Sequence, residues 1–134
     1  MDRTVANRPP GIVLDTAALV AYAAGDLRVG EIVALLADRG ETVVIPAACL
    51  ATAYRAVDAK GSSLLDLIAG LDHVIVAPLA REHCTAAGSW SRGLGLDTAH
   101  AAIEAASNPV TPLMTGHRGW VVRFLPQAWP ILDV

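Results

Sequence analysis

Charge is scarce in this 134-residue chain: only 17% of its residues are Asp, Glu, Lys or Arg, and the formal net charge is −3. A chain with this charge has no general attraction for nucleic acid, so RNA binding would have to come from local arginines or a bound metal ion. Long apolar runs are also missing, because no stretch approaches the roughly 18 residues of a transmembrane helix. The N-terminal segment lacks the apolar centre of a signal peptide. We therefore expect a cytoplasmic protein with no membrane partner.

Cysteine is scarce as well, with only Cys49 and Cys84 in the chain. In a reducing compartment two cysteines are more typical of buried small hydrophobic residues than of a disulfide, and they are too few for a thiolate zinc site. Apolar residues, in contrast, make up 54% of the sequence, which is enough for the core of one domain. The polar composition of residues 1–10 predicts a flexible tail, and residues 11–134 are predicted to form a single domain.

Short apolar runs bounded by glycine or proline predict five buried strands, at residues 11–15, 41–46, 73–78, 110–115 and 129–134. Helical patterns lie between them. They predict one helix ending at Gly40, a second opening at Pro46 and ending at Gly61, a capping box formed by Ser63 and Asp66, and a helix over residues 97–107 that ends at Pro109. Strands that alternate with helices predict a parallel sheet covered on both faces.

Two carboxylates occupy positions where they either act chemically or only cap a helix. Asp15 ends the first strand, where open parallel sheets place ligands, and it also precedes a helix. Asp97 opens the late helix and has the same two interpretations. His100 and Glu104 follow Asp97 on one helical face, for which a solvated surface is the favoured interpretation. His117, after the fourth strand, is by itself more typical of a surface histidine than of a ligand.

Four segments, taken in this order, resemble the PIN domain family and especially its VapC-type ribonuclease toxins. They are residues 12–23 (IVLDTAALVAYA), 43–57 (VVIPAACLATAYRAV), 93–106 (GLGLDTAHAAIEAA) and 113–120 (LMTGHRGW). The resemblance covers nearly the whole chain, from about Gly11 to Val134. It implies a three-layer α/β/α PIN-like domain with a parallel sheet of about five strands.

The resemblance also implies a site. Active members of the family look like divalent-metal nucleases with acids contributed from four places. Asp15 and Asp97 match two of these acids and are the expected catalytic and metal-binding residues. Thr16 matches the residue beside the first acid and Thr115 matches the threonine of the fourth motif, Thr-x-Asp; both are expected to orient water or phosphate.

Two departures from the family pattern leave the function open. Thr52 stands where the family has a glutamate, and His117 stands where Thr-x-Asp has its acid. The loss of two carboxylates predicts weak binding of Mg²⁺ or Mn²⁺, and an imidazole ligand would suit Zn²⁺ or Fe²⁺ better than Mg²⁺. The chain is then either a metal-dependent endoribonuclease of toxin type or a catalytically inactive PIN-like binding or regulatory module. An unrelated small α/β ligand-binding domain is the third interpretation.

The partners implied by the resemblance are an RNA substrate, an antitoxin protein bound across the active-site groove, and a second copy of the chain in a homodimer. Two apolar faces are candidates for the antitoxin, although ordinary core packing is the favoured interpretation of both. The first face consists of Val29, Ile32, Val33 and Leu36, and the second of Leu64, Leu65, Leu67 and Ile68.

Overall fold

A five-stranded parallel sheet is the centre of the protein. The computed structural model describes residues 8–107, 111–126 and 128–134. The strands are β1 (Pro10–Leu14), β2 (Thr42–Pro46), β3 (Val74–Ala77), β4 (Leu113–Thr115) and β5 (Ile131–Asp133), in the spatial order β3-β2-β1-β4-β5. Every neighbouring pair is parallel. The predicted three-layer α/β/α architecture, with a parallel sheet of five strands, is therefore confirmed.

Helices connect the strands and cover the sheet. They are α1 (Thr16–Ala23), α2 (Leu27–Asp38), α3 (Ala47–Ala56), α4 (Ala59–Ala69), α5 (Cys84–Trp90), α6 (Leu96–Ala106) and α7 (Arg118–Val121), with a short 3₁₀ turn at Arg81–His83 before α5. None of the helices in the described part of the chain is long and apolar enough to cross a membrane.

The strands form because short runs of β-branched and aliphatic residues are buried on both faces of the sheet. Every residue of β2 is buried, and Val13 and Leu14 of β1 have no exposed surface. The chain passes from β1 to β2 on one side, and β4 lies on the other side of β1. This reversal of strand order opens a crevice beyond the carboxyl ends of β1 and β4, where sheets of this kind bind ligands.

All five predicted strands are present; β1 is shifted by one residue toward the N-terminus, and the other four have narrower bounds. Val110, in the fourth predicted run, lies outside the described residues. At the N-terminus, Pro10 begins β1, and the carbonyl oxygen of Pro9 accepts a hydrogen bond of 3.0 Å from the backbone N–H of Thr42. Pro9 and Pro10 are thus tied to the sheet, although we expected them in the tail. The division into a tail and a single domain stays a prediction.

The helix predicted from Pro46 to Gly61 is wrong at its end. Asp58 interrupts it, because its carboxylate accepts a hydrogen bond of 2.8 Å from the backbone N–H of Gly61 and so caps a separate helix, α4. Gly61 is then a buried helical residue packed on Val57, where a Cβ would come within 2.7 Å of the Val57 Cβ. The capping box at Ser63 is also wrong, since the Ser63 hydroxyl donates to the carbonyl of Ala59 inside the same helix.

Two smaller expectations are corrected. The late helix α6 begins at Leu96 after Gly95, so Asp97 lies in its first turn and does not cap it; Pro109 lies outside the described residues. Both cysteines are free, as predicted, and Cys49 is buried. Cys84, however, is exposed, because it begins the short helix α5 on the surface of the protein.

Candidate active site

Asp15 is a buried carboxylate at the carboxyl end of β1. Its side chain is 1% exposed and caps α1 by accepting a hydrogen bond of 3.0 Å from the backbone N–H of Ala18. Its other oxygen accepts a bond of 3.3 Å from the backbone N–H of Gly116, which follows β4. Asp15 is therefore a helix cap, as one interpretation predicted, and it also joins the ends of the two strands that flank the crevice.

The turn after β4 closes around this carboxylate. The hydroxyl of Thr115 donates to Asp15 and in turn accepts a hydrogen bond of 2.9 Å from the backbone N–H of His117. A side chain at position 116 would not fit, since a Cβ on Gly116 would lie 2.7 Å from the Cβ of Ala17. Thr115 is fully buried, whereas His117 is exposed at the rim of the crevice.

Asp97 reaches the same corner from α6. One of its carboxylate oxygens accepts a hydrogen bond from the hydroxyl of Thr16, the residue that follows Asp15. Gly95 leaves room for this carboxylate, because a Cβ at position 95 would lie 2.6 Å from Oδ1 of Asp97. The structure thus contains two hydrogen-bonded pairs, Thr115 with Asp15 and Thr16 with Asp97, and the peptide bond between Asp15 and Thr16 joins them; we call these four residues the acidic corner.

Cys49 is a neighbour of the acidic corner that the sequence did not single out. Its thiol donates a hydrogen bond of 3.1 Å to the backbone carbonyl of Asp97. Burial raises the pKa of the thiol, and the charges of Asp15 and Asp97 raise it further. Cys49 is therefore a neutral thiol that supports the first turn of α6. Its burial was predicted, but contact with a residue 48 positions away has no signal in a single sequence.

Thr52, at the degenerate position, lies three residues after Cys49 on α3, so the two side chains share one side of the helix. Its hydroxyl donates a hydrogen bond of 2.8 Å to the carbonyl of Ala48 in its own helix. In this arrangement the polar group of Thr52 satisfies the backbone of α3.

The solvated face predicted for α6 is wrong. His100 has no exposed surface, and its Nδ1 accepts a hydrogen bond of 3.5 Å from the backbone N–H of Ala48. Its Nε2 lies 3.9 Å from the carboxylate of Glu104, which is partly buried. The reason is that α6 is rich in alanine. These small side chains allow its backbone to approach β2 and α3 closely, which buries most of its circumference.

The electrostatics of the acidic corner are unbalanced. Burial raises the pKa of Asp15, while hydrogen bonds from Thr115, Ala18 and Gly116 and the charge of His117 oppose this shift. Two neighbouring carboxylates repel one another, but burial is the main cause of this shift. Within the described ranges neither Asp15 nor Asp97 forms a salt bridge with lysine or arginine. Within those ranges no lysine or arginine is therefore paired with the carboxylates of the corner.

The donor set fits a hard divalent cation bound with few protein ligands. Among the described residues no group of three or more His, Cys, Asp or Glu side chains is arranged to hold a metal ion. The corner does offer two carboxylates and two hydroxyls, and each carboxylate keeps lone pairs beyond those its hydrogen bonds use. Mg²⁺ is commonly held by one or two carboxylates with water completing its shell. The residues present fit one such ion, held weakly.

The fold has a counterpart among solved structures. The chain is similar to a chain of the crystal structure of VapBC2 from Rickettsia felis bound to a DNA fragment from their promoter, with 16% sequence identity and a TM-score of 0.63. The likeness covers 91% of this chain and 97% of that chain. The fold is that of a PIN-like domain. No protein-family model matches the sequence, and no curated protein sequence matches it significantly.

The apolar faces considered for a partner are mostly core. Val29, Val33 and Leu36 are buried in the first face, and Leu65 and Ile68 in the second, so core packing is the correct interpretation for these residues. An exposed apolar groove lies beside them, with a volume of about 390 Å³. It is lined by Tyr22, Leu27, Gly30, Ala34 and Leu64 together with Gly25, Asp26 and Glu31. Leu27, at its rim, is 77% exposed.

Proposed function

We propose that this chain is a metal-dependent endoribonuclease of toxin type with a two-carboxylate site. The observation that carries the proposal is the junction of Asp15 and Asp97 through Thr16 at the switch point of a PIN-like sheet. Two acids from distant parts of the chain both lie near Cys49, and no lysine or arginine in the described ranges is paired with them, which favours a divalent ion. The resemblance of the sequence to VapC-type toxins supports RNA as the substrate.

Each residue of the corner has a role in this proposal. Asp15 and Asp97 hold the ion, which when bound supplies charge stabilisation for phosphodiester hydrolysis. Backbone amides and the Thr115 hydroxyl keep the Asp15 carboxylate oriented and favour its ionised form. Thr16 fixes the rotamer of Asp97 by its hydrogen bond. His117 stands at the rim, where its imidazole is a further ligand or a contact for phosphate.

The test is cleavage of several RNAs by the purified chain with Mg²⁺ or Mn²⁺, compared with Asp97→Asn. Asp97 is a better target than Asp15, because Asp15 also caps α1 and its loss confuses folding with activity. We expect Asp97→Asn to reduce cleavage roughly 100-fold or more, as expected for the loss of a metal ligand worth several kcal/mol. The matched control is Glu104→Gln on the same helix, which should stay within about twofold of the native rate.

A second function, a catalytically inactive binding module, is supported by the missing acids at Thr52 and His117 and by the exposed groove around Leu27. An amphipathic segment of an antitoxin-like protein is the partner that such a groove suits. Leu27→Glu should then prevent binding without changing the fold. Absence of cleavage above the Asp97→Asn control with any divalent ion would favour this second function. A homodimer stays part of the proposal and is tested by the mass of the chain in solution.

A further inference from the structure

A small cavity lies next to the acidic corner and shares its walls. It has a volume of about 190 Å³ and is lined by Gly93, Leu94, Gly95, Thr98, His117 and Trp120. Gly95 and Thr98 flank Asp97 in the sequence, and His117 follows Thr115 by two residues. A ligand in this cavity would therefore lie directly beside the corner. The volume is below the roughly 300–1,000 Å³ of pockets that enclose a whole drug-sized molecule, so it suits one flat ring system.

Trp120 gives this cavity an aromatic wall. The indole is 50% exposed, although tryptophan is highly buried on average. The guanidinium of Arg123 lies over the ring, 4.9 Å from the ring centroid. This contact attracts the indole weakly and places a positive charge beside the ring. The chain's other tryptophans differ: Trp90 packs on Phe124, and Trp129 donates to the carbonyl of Thr111. Trp120 is thus the tryptophan presented for an external contact.

The remaining walls of the cavity consist of glycine backbone and polar side chains. Gly93 and Gly95 carry no side chains, so backbone atoms form part of the lining, and substituents there would meet Phe124 and Asp97 respectively. Thr98 and His117 add polar side chains. An aromatic wall, hydrogen-bonding groups at the edge and a nearby guanidinium are the features with which proteins bind unstacked bases of single-stranded nucleic acid.

We propose that the cavity is a subsite for one base of a single-stranded RNA, stacked on Trp120, next to the phosphate held at the acidic corner. The inference rests on the proposed ribonuclease function. It gives an acidic protein, with a net charge of −3, a local means of holding RNA that does not depend on overall charge. It also predicts that cleavage requires an unpaired base beside the scissile bond.

The experiment measures binding without cleavage. A fluorescently labelled single-stranded RNA oligomer and the same oligomer with abasic residues are titrated with the full chain in EDTA, by anisotropy. The unmodified protein should bind the base-containing oligomer more tightly. Trp120→Ala should weaken that binding roughly 5- to 150-fold, the range for loss of one stacked base. Binding of the abasic oligomer should not change. Trp120→Phe should retain most of the affinity.

The matched control is Val122→Ala, since Val122 is 49% exposed and close in sequence but does not line the cavity. This variant should not change the affinity for either oligomer. Equal affinity of the unmodified protein for the two oligomers, no binding of either, or an equal loss with both in Trp120→Ala would each overturn the inference. The unmodified protein alone supplies the first two readouts, so they do not depend on a variant folding.

A chain that binds bases through Trp120 but never cleaves RNA would retain the subsite and lose the nuclease. A chain that cleaves RNA with no base dependence would retain the nuclease function and lose the subsite.

Discussion

Two clusters of buried ionisable groups in this molecule differ in what opposes the effect of burial on their carboxyl groups. In the acidic corner, burial raises the pKa of Asp15, but three hydrogen-bond donors favour its ionised form. In the cluster of His100 and Glu104, burial lowers the pKa of His100 and raises that of Glu104, which favours the neutral form of both. Burial thus disfavours the charged form in both clusters, and hydrogen bonds to the carboxylate oppose this effect at Asp15.

This difference indicates which cluster is suited to a ligand. Asp97, His100 and Glu104 follow one another at helical spacing on α6 and look like a single stripe in the sequence. The structure divides them, because Asp97 joins Thr16 while His100 and Glu104 lie 3.9 Å apart within the protein. Residue type and spacing alone do not identify a metal site. A carboxylate at a crevice whose ionised form is supported by several hydrogen bonds does so better.

The largest expected effect is on stability. Asp15→Ala removes a helix cap and leaves buried donors of Ala18, Thr115 and Gly116 without their acceptor, so we expect a loss of about 2–4 kcal/mol in the free energy of unfolding. Asp97→Ala, which loses one hydrogen bond at a partly exposed residue, should cost about 1 kcal/mol or less. Urea denaturation measures both. Equal losses in the two variants would contradict the structural role given to Asp15.

The next effect concerns Thr52 and His117, the two positions where the family pattern has acids. Thr52→Glu combined with His117→Asp restores two carboxylates around the corner, and the position of Thr52 on the Cys49 side of α3 favours this placement. Cleavage at low Mg²⁺ should rise roughly tenfold, because more negative charge strengthens Mg²⁺ binding. His117→Asp alone should shift the preference from Mn²⁺ toward Mg²⁺. Rates of RNA cleavage across both metal titrations test this, and an unchanged metal preference would exclude His117 as a ligand.

A third prediction concerns pH. The pKa of Asp15 is raised above 3.8 in the folded state, so the native state holds its proton more tightly than the unfolded chain does. The stabilisation from this protonation is complete below about pH 3.8 and is lost as pH rises through the raised value. Asp15→Asn should remove this part of the pH dependence, as measured by urea denaturation at a series of pH values.

Glu104 provides the comparison for that experiment, because burial also raises its pKa. Glu104→Gln should remove a similar loss of the free energy of unfolding as pH rises. Added Mn²⁺ should reduce only the slope due to Asp15, since a bound cation stabilises the carboxylate in the corner. A slope that Mn²⁺ changes equally in the native chain and in Asp15→Asn would show that the metal binds elsewhere.

The smallest expected effect is on metal affinity, when the Asp97 carboxylate is displaced by a side chain at position 95. Gly95 has φ −62° and ψ 157°, which alanine adopts without strain, so Gly95→Ala should fold normally. Its Cβ would lie 2.6 Å from Oδ1 of Asp97 and would force that carboxylate to move. We expect metal affinity to fall up to about tenfold, as for other groups that orient a ligand. Gly88→Ala, with no atom within 4 Å of its new Cβ, is the matched control and should leave the affinity unchanged.

Much of the fold was accessible from the sequence, because buried parallel strands appear as short apolar runs and their alternation with helices restricts the topology. The position of Asp15 after β1 followed from the same pattern. The break at Asp58 was missed, since an aspartate cap inside an apolar helical pattern gives a weak signal beside Gly61. The burial of His100 and the contact of Cys49 with Asp97 depend on how closely α3 and α6 pack, and periodicity does not report that distance.

The most direct test of the central claim is the melting temperature of the chain titrated with Mn²⁺, in the native protein, in Asp97→Asn and in Glu104→Gln. A ligand that binds only the native state stabilises it by about 2.7 kcal/mol at a concentration 100 times its Kd. The two-carboxylate account predicts a concentration-dependent rise in the native protein and in Glu104→Gln, and little or none in Asp97→Asn. An equal rise in Asp97→Asn, or no rise in the native protein, would contradict it.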